Sequence, residues 1–434
     1  MTAGSNNDAT MTNESPYPDF FRVRQRFESH EIEDIESAVE STLSKNLGQQ
    51  AIQPGQTVAI AVGSRGIANL QRIVAAVVRF LVALEAKPII VPAMGSHGGA
   101  SAEGQAALLA SYGVTAEGVG CPIRSSMDTV LLGTTSDGVA VHFDKQASQA
   151  DHILVVNRIK PHTRLTGRYE SGLLKMMMIG LGKHEGAYLY HQSFPSYGYR
   201  LDALSQEIVS MILEQTPLTC GLAIVEDAYE NTSHLEAIRA ADILEREPEL
   251  LSLARQRMPQ LPFREADLLI VDQIGKEISG TGMDTNIVGR KSNDKCAAPD
   301  EWPKIRQIYV RSLTKKTSGN ACGVGVAEYC HQRVVDAMDP EITRINCVTS
   351  AHITAGAVPV TFPTDRAVLD AVVSQTRLDR RRALNWMWIR DTLQISELLC
   401  SQSYWEQSME RDDLDRLSEP HPLQFDATGD LVNW

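Results

Sequence analysis

The sequence predicts an α/β protein built of two α/β domains. Three observations lead there. Short β-branched runs alternate with amphipathic helical stretches, the pattern of parallel layering. The alternation starts afresh after the proline-containing segment QLPF, near 260–266. The chain has 434 residues, and at roughly 150 residues per domain that suggests two or three domains.

Residues 1–18 are polar and rich in Asn, Ser and Thr. With no basic or apolar leader region they are expected to form a disordered tail and not a signal peptide. The run 57–62 (TVAIAV) is the first strand. The stretch 67–84 follows, with apolar residues at 70, 73, 74, 77, 78, 81 and 84. That is helical period, and Arg72 and Arg79 inside it mark a packed helix and not a membrane span. A second strand (KPIIV, 87–91), a loop at 93–99 and a helix near 101–111 continue the alternation. HILVVN (152–157) and GLAIV (221–225) read as buried strands, with a helix at 201–215 between them. A charged amphipathic helix is expected at 249–257, with Pro248 tolerated in its first turn.

The second set begins with DLLIV (267–271) and continues through 308–310, a Gly-rich stretch at 322–326 and helices near 331–338 and 364–375. The expected domains are therefore 19–262 and 263–400. The acidic segment 401–434 is expected either to fold back on the first domain or to stay partly mobile.

The formal net charge is −13, with 54 acidic against 41 basic side chains. A field of that sign repels phosphate backbones and anionic lipid, which argues against nucleic acid and membrane partners. The seven Cys are widely spaced and no C-x-x-C occurs. That speaks against a disulfide framework or a thiolate metal site, and points to a reducing, cytoplasmic setting.

Four features sit at the ends of expected strands, where ligands bind in open α/β sheets. Gly63-Ser64-Arg65-Gly66 offers a close-approach turn and a guanidinium fork for an anion, or is a plain βα turn. Gly95-Ser96-His97-Gly98-Gly99 presents a sterically open His suited to proton transfer. Asn157-Arg158-Ile159-Lys160-Pro161-His162-Thr163 is either a surface basic loop or a second His site. Ser171-Gly172-Leu173-Leu174-Lys175 runs into three Met, so that Lys175 is either an activated amine or a lysine that snorkels to water. His184 and His191 are seven apart and share a helix face; either suits a metal.

Together, Gly95-x-His97, Pro161-His162, Ser171-Gly172-x-x-Lys175 and His191, sixteen residues beyond that lysine, resemble the nickel-pincer-dependent lactate racemase family of 2-hydroxyacid racemases and epimerases. The likeness runs from about 20 to 400 and is strongest between 57 and 195. It implies two α/β domains with the active site in the cleft between them. It also implies a nickel-pincer nucleotide, the nickel complex of pyridinium-3,5-bisthiocarboxylic acid mononucleotide. By position, Lys175 resembles the covalent tether and His191 the nickel ligand. Ser64, Gly98 and Gly99 resemble cofactor contacts. His97 and His162 resemble the acid/base pair, and Arg65 a clamp on the substrate carboxylate. Asp284, Asn286 and Lys291 resemble substrate contacts. The implied partners are a small 2-hydroxyacid and cofactor-maturation proteins.

Departures from the family pattern bear on the substrate. Val62 stands where an acidic residue is expected, and Gly289 and Ser292 replace a Gln and a Lys. Arg164 and Arg168 fall in a longer gap before Lys175. These changes suggest a hydroxyacid larger than lactate or differently charged. Two other readings are a two-domain oxidoreductase with a diffusible nicotinamide cofactor, which the absence of G-x-G-x-x-G disfavours, and a cofactor-free homologue that binds an organic anion.

Overall fold

A computed structural model describes residues 15–47, 52–63, 66–376, 383–432 and 434. It divides into two compact units. One comprises 27–260 with the short segment 348–352; the other comprises 1–26, 261–347 and 353–434.

In chain order, strand β1 (Phe20–Gln25) comes first and belongs to the second unit. The first unit holds β2 (Thr57–Val62), β3 (Lys87–Pro92), β4 (Thr129–Thr134), β5 (Ala140–Asp144), β6 (His152–Arg158), β7 (Leu218–Glu226) and β8 (Thr232–Arg239). Five of them form one sheet in the order β3-β2-β6-β7-β8, parallel except for the β8 edge; β4 and β5 make a separate hairpin. Strands buried on both faces read as unbroken apolar runs, which is why TVAIAV and HILVVN stand out. Helix Leu70–Ala83 packs on one face through Ile73, Val74, Val77 and Leu81, with Ile60 and Leu154 in the same core cluster. The opposite face is filled by Leu173, Leu174, the Met176–Met178 run and helix Leu201–Gln215.

The second unit continues with β9 (Glu265–Ile274), β10 (Lys304–Leu313), β11 (Tyr329–His331), β12 (Val360–Phe362), β13 (Trp386–Ile389), β14 (Glu397–Ser401) and β15 (Leu414–Arg416). With β1 they form a mixed sheet ordered β12-β11-β10-β9-β13-β14-β1-β15. β1 lies antiparallel between β14 and β15.

This division departs from the expected one. β1 is not part of the first domain: Phe20, Phe21 and Val23 are fully buried in the second unit's sheet. The C-terminal segment does not fold back on the first domain, because Leu414–Arg416 pairs with β1. Of the expected tail, 1–14 lie outside the described residues. Tyr17 is buried, and its hydroxyl donates to Asp370 Oδ1 at 2.6 Å, so the expected tail is anchored at Tyr17.

The helix expected at 249–257 begins earlier and spans Ile243–Arg257, which puts Pro248 in its interior. The N–H that proline lacks would have bonded the carbonyl of Leu244. The Tyr169 hydroxyl donates to that carbonyl instead, at 2.6 Å.

Candidate active site

Val62 pairs with both Pro92 and Val156, so β2, β3 and β6 end together at one edge of the first unit's sheet. The loops that leave this edge are those the sequence singles out. They converge on the turn that carries Lys175. Gly95 N donates to Gly180 O at 3.1 Å. A Cβ on Gly63 would sit 2.4 Å from Met176 Cε, and one on Gly180 would sit 2.8 Å from Ala93 O, so both glycines permit close packing.

Lys175 ends a helical turn (Leu173–Lys175) that passes into a π-turn (Met176–Gly180). Such turns are rare and recur at functional sites. From 172 to 183 every residue is buried except Lys175, which is partly exposed. The next helix, Lys183–Ser193, carries His184 and His191. His191 is held down to about 4, first by burial and second by the positive charge of Lys175. It is therefore neutral near pH 7, the form in which imidazole ligates a metal. His184 is exposed beside Tyr188.

His97 is exposed on a turn in which Gly95, Gly98 and Gly99 all take positive φ. Gly98 is required sterically, since a Cβ would lie 2.6 Å from the Gly104 carbonyl carbon; above Gly99 the space is open. A buried brace holds the turn from below. Gln105 Nε2 donates to the carbonyls of Gly95 (2.9 Å) and His97 (3.3 Å). Lys183 Nζ donates to Gln105 Oε1 (3.3 Å) and Pro92 O (2.6 Å). It also pairs with Asp144 at 2.9 Å, both side chains fully buried. A buried pair repays its desolvation only when further hydrogen bonds complete it, and here they reach the His97 turn.

His162 Nδ1 accepts the backbone N–H of Arg164 (2.9 Å) and of Leu165 (3.0 Å). Those bonds assign the proton of the neutral ring to Nε2. The His162 N–H donates to Glu170 Oε2 at 2.6 Å, and buried Glu170 pairs with Arg255. Arg158 pairs with Glu226, whose carboxylate also accepts Ala68 N. Arg164 lies over the Tyr199 ring at 4.5 Å, its Nη1 3.1 Å from His352 Nε2, and Arg168 is 5.6 Å from the Tyr169 ring. Arg158, Arg164 and Arg168 thus have partners within their own unit.

Ser64 and Arg65 lie outside the described residues. In the second unit, Asp284 Oδ1 accepts both the backbone N–H (3.0 Å) and the side-chain amide (2.9 Å) of Asn286, capping the turn Thr285–Val288. Lys291 is buried, and buried Arg290 lies 3.5 Å from Glu328. His331, Asp365 and Asp430 cluster tightly enough to suggest a cation. Arg311 and Arg333 already neutralise these carboxylates, at 2.7 Å and 2.9 Å, so the cluster reads as an ion-pair network.

A sequence profile of the lactate racemase N-terminal domain matches residues 18–198, the stretch that holds His97, His162, Lys175 and His191. Residues 18–198 are thus similar to a lactate racemase N-terminal domain. The likeness extends further in structure. The lactate racemase apoprotein of Thermoanaerobacterium thermosaccharolyticum is 13% identical, with a TM-score of 0.52 over 86% of this chain and 94% of that one. A Thermotoga maritima protein solved by structural genomics is 15% identical, with a TM-score of 0.51 over 76% and 84%. At that identity the structures establish a shared two-domain α/β fold. No curated protein matches the sequence. The lactate racemase-like domain also contains groups the sequence did not flag as functional: Asp144, Lys183 and Glu170 support the candidate residues from below.

Proposed function

We propose that the chain is a racemase or epimerase of a 2-hydroxyacid, working with a nickel-pincer nucleotide held at Lys175. The observation that carries this reading is the pairing of Lys175 and His191. One is the single partly exposed residue of a buried run; the other is an imidazole kept neutral by burial and by that lysine's charge. An amine and one neutral nitrogen are the donors such a group requires, because it brings its own sulfur. Lys175 would hold it covalently and His191 would ligate the nickel. Ser64, Gly98 and Gly99 would line the nucleotide, and the open space above Gly99 suits that role.

When bound, the group supplies a hydride acceptor, which spares the substrate a second negative charge beside its carboxylate. His97, exposed on its braced turn, takes or returns the hydroxyl proton for one enantiomer. His162 serves the other. Its Nε2 carries the ring proton in this conformation, so a change of tautomer requires the 162–165 turn to release Nδ1. Arg65 would clamp the substrate carboxylate, and Asp284, Asn286 and Lys291 are the proposed contacts with the rest of the molecule. The replacement of an expected Gln and Lys by Gly289 and Ser292 favours a hydroxyacid other than lactate.

Nickel analysis and peptide mass on protein matured with the cofactor-building proteins test this proposal. Bound nickel and an adduct on Lys175 are expected. A matured preparation with neither contradicts the reading.

A further inference from the structure

The turn that carries Lys175 is held by a residue far away in sequence. Glu247, on helix Ile243–Arg257, is 1% exposed. Its Oε2 accepts the N–H of Leu174 at 2.8 Å, and the carboxylate also takes the N–H of Leu173. Leu173 and Leu174 open the helical turn that ends at Lys175, so their N–H groups have no partner within the turn. Among the described residues no basic side chain is paired with Glu247. A buried carboxylate without a counter-cation is costly. These two amide bonds offset part of that cost.

Three further contacts fix the arrangement. Asn157 Nδ2, at the end of β6, donates to Gly172 O at 2.9 Å and grips the same turn from the sheet side. Gly172 makes the approach of the carboxylate geometrically possible: a Cβ there would lie 2.3 Å from Glu247 Oε1. The glycine of the Ser171-Gly172-x-x-Lys175 motif therefore has a steric reason to be glycine. The same helix meets the 162–175 segment twice more, through Tyr169 to the Leu244 carbonyl and through Arg255 to Glu170.

We propose that Glu247 is a positioning residue for Lys175, fixing through the amides of Leu173 and Leu174 the direction in which that side chain leaves its buried surroundings. This rests on the reading of Lys175 as the cofactor tether. Glu247 touches none of the reacting groups and acts through the backbone.

The test uses the full chain and two variants. Glu247→Gln keeps the shape but replaces one carboxylate oxygen with an NH2 group that cannot accept an amide N–H. Gly172→Ala leaves the carboxylate in the protein and displaces it with a methyl group, a second route should Glu247→Gln fold poorly. Two readouts are taken: hydrogen exchange at the amides of Leu173 and Leu174, and the fraction of Lys175 that carries the adduct after maturation, by peptide mass. Both variants are expected to speed exchange at those two amides by about tenfold, the effect of one lost hydrogen bond of roughly 1.4 kcal/mol. They are also expected to lower adduct occupancy several-fold while exchange elsewhere in the chain stays as in the parent. A folded Glu247→Gln or Gly172→Ala protein with parental exchange and parental occupancy overturns the proposal alone. A matured parent with no adduct on Lys175 overturns the reading of the lysine, and the proposal with it.

Discussion

His191 and Glu247 make opposite demands on pH. An unfolded imidazole titrates near 6.5, whereas burial and the Lys175 charge hold the folded one at about 4. Between those values the unfolded chain binds a proton that the folded chain refuses. The stability His191 confers is thus complete above about 6.5 and is lost as pH falls towards 4. Burial pushes Glu247 up from 4.5 to about 7, against the pull of the Leu174 and Leu173 amides. Its favourable contribution is complete below about 4.5 and fades as pH rises through 7. Urea unfolding from pH 4 to 8 separates the two. His191→Asn is expected to flatten the acid side of the profile, and Glu247→Gln the neutral side. A His191→Asn profile that keeps the parent's full acid slope would show that His191 is not the group responsible.

At the scale of single elements, helix Ile243–Arg257 accommodates an interior proline because another element completes its hydrogen bonding. Removing the Tyr169 hydroxyl leaves the Leu244 carbonyl without its donor, a loss of about 1–2 kcal/mol. In a Pro248→Ala background the new N–H can take that carbonyl, so Tyr169→Phe should cost less there. A double-mutant cycle by urea unfolding measures the coupling. Equal costs in both backgrounds would refute the exchange of donors. The same helix shows where sequence reading stops. Its amphipathic second half is legible, but the donor to the Leu244 carbonyl in its first half is a tyrosine 75 residues earlier in the chain. Strands β2, β3, β6 and β9 are legible because buried parallel strands are written as local apolar runs. β1 is not: FFRVRQ alternates with arginines, and its partners β14 and β15 lie almost the whole chain away.

The same contrast runs through the candidate site of the molecule as a whole. His97, His162, Lys175 and His191 were legible because glycines, a proline and fixed spacings surround them. Asp144, Lys183, Glu170 and Glu247 were not, since nothing local marks a charged residue as buried. They support the site because β2, β3 and β6 end at one edge while the elements beneath supply carboxylates and an ammonium to the loops. Against the acidic net charge of −13, the proposed anionic ligands would have to be held by local basic groups such as Lys175. No described helix is long and apolar enough to cross a membrane, and among the described Cys all are free and only Cys296 is exposed.

The most direct test of the proposed activity is a stereochemical screen of 2-hydroxyacids and aldonates deuterated at C2, with cofactor-loaded protein. At least one is expected to be inverted at C2 with its deuterium retained, and Lys175→Ala is expected to abolish the inversion. Inversion with deuterium lost to solvent, inversion that survives Lys175→Ala, or no inversion of any compound by nickel-loaded protein would contradict it.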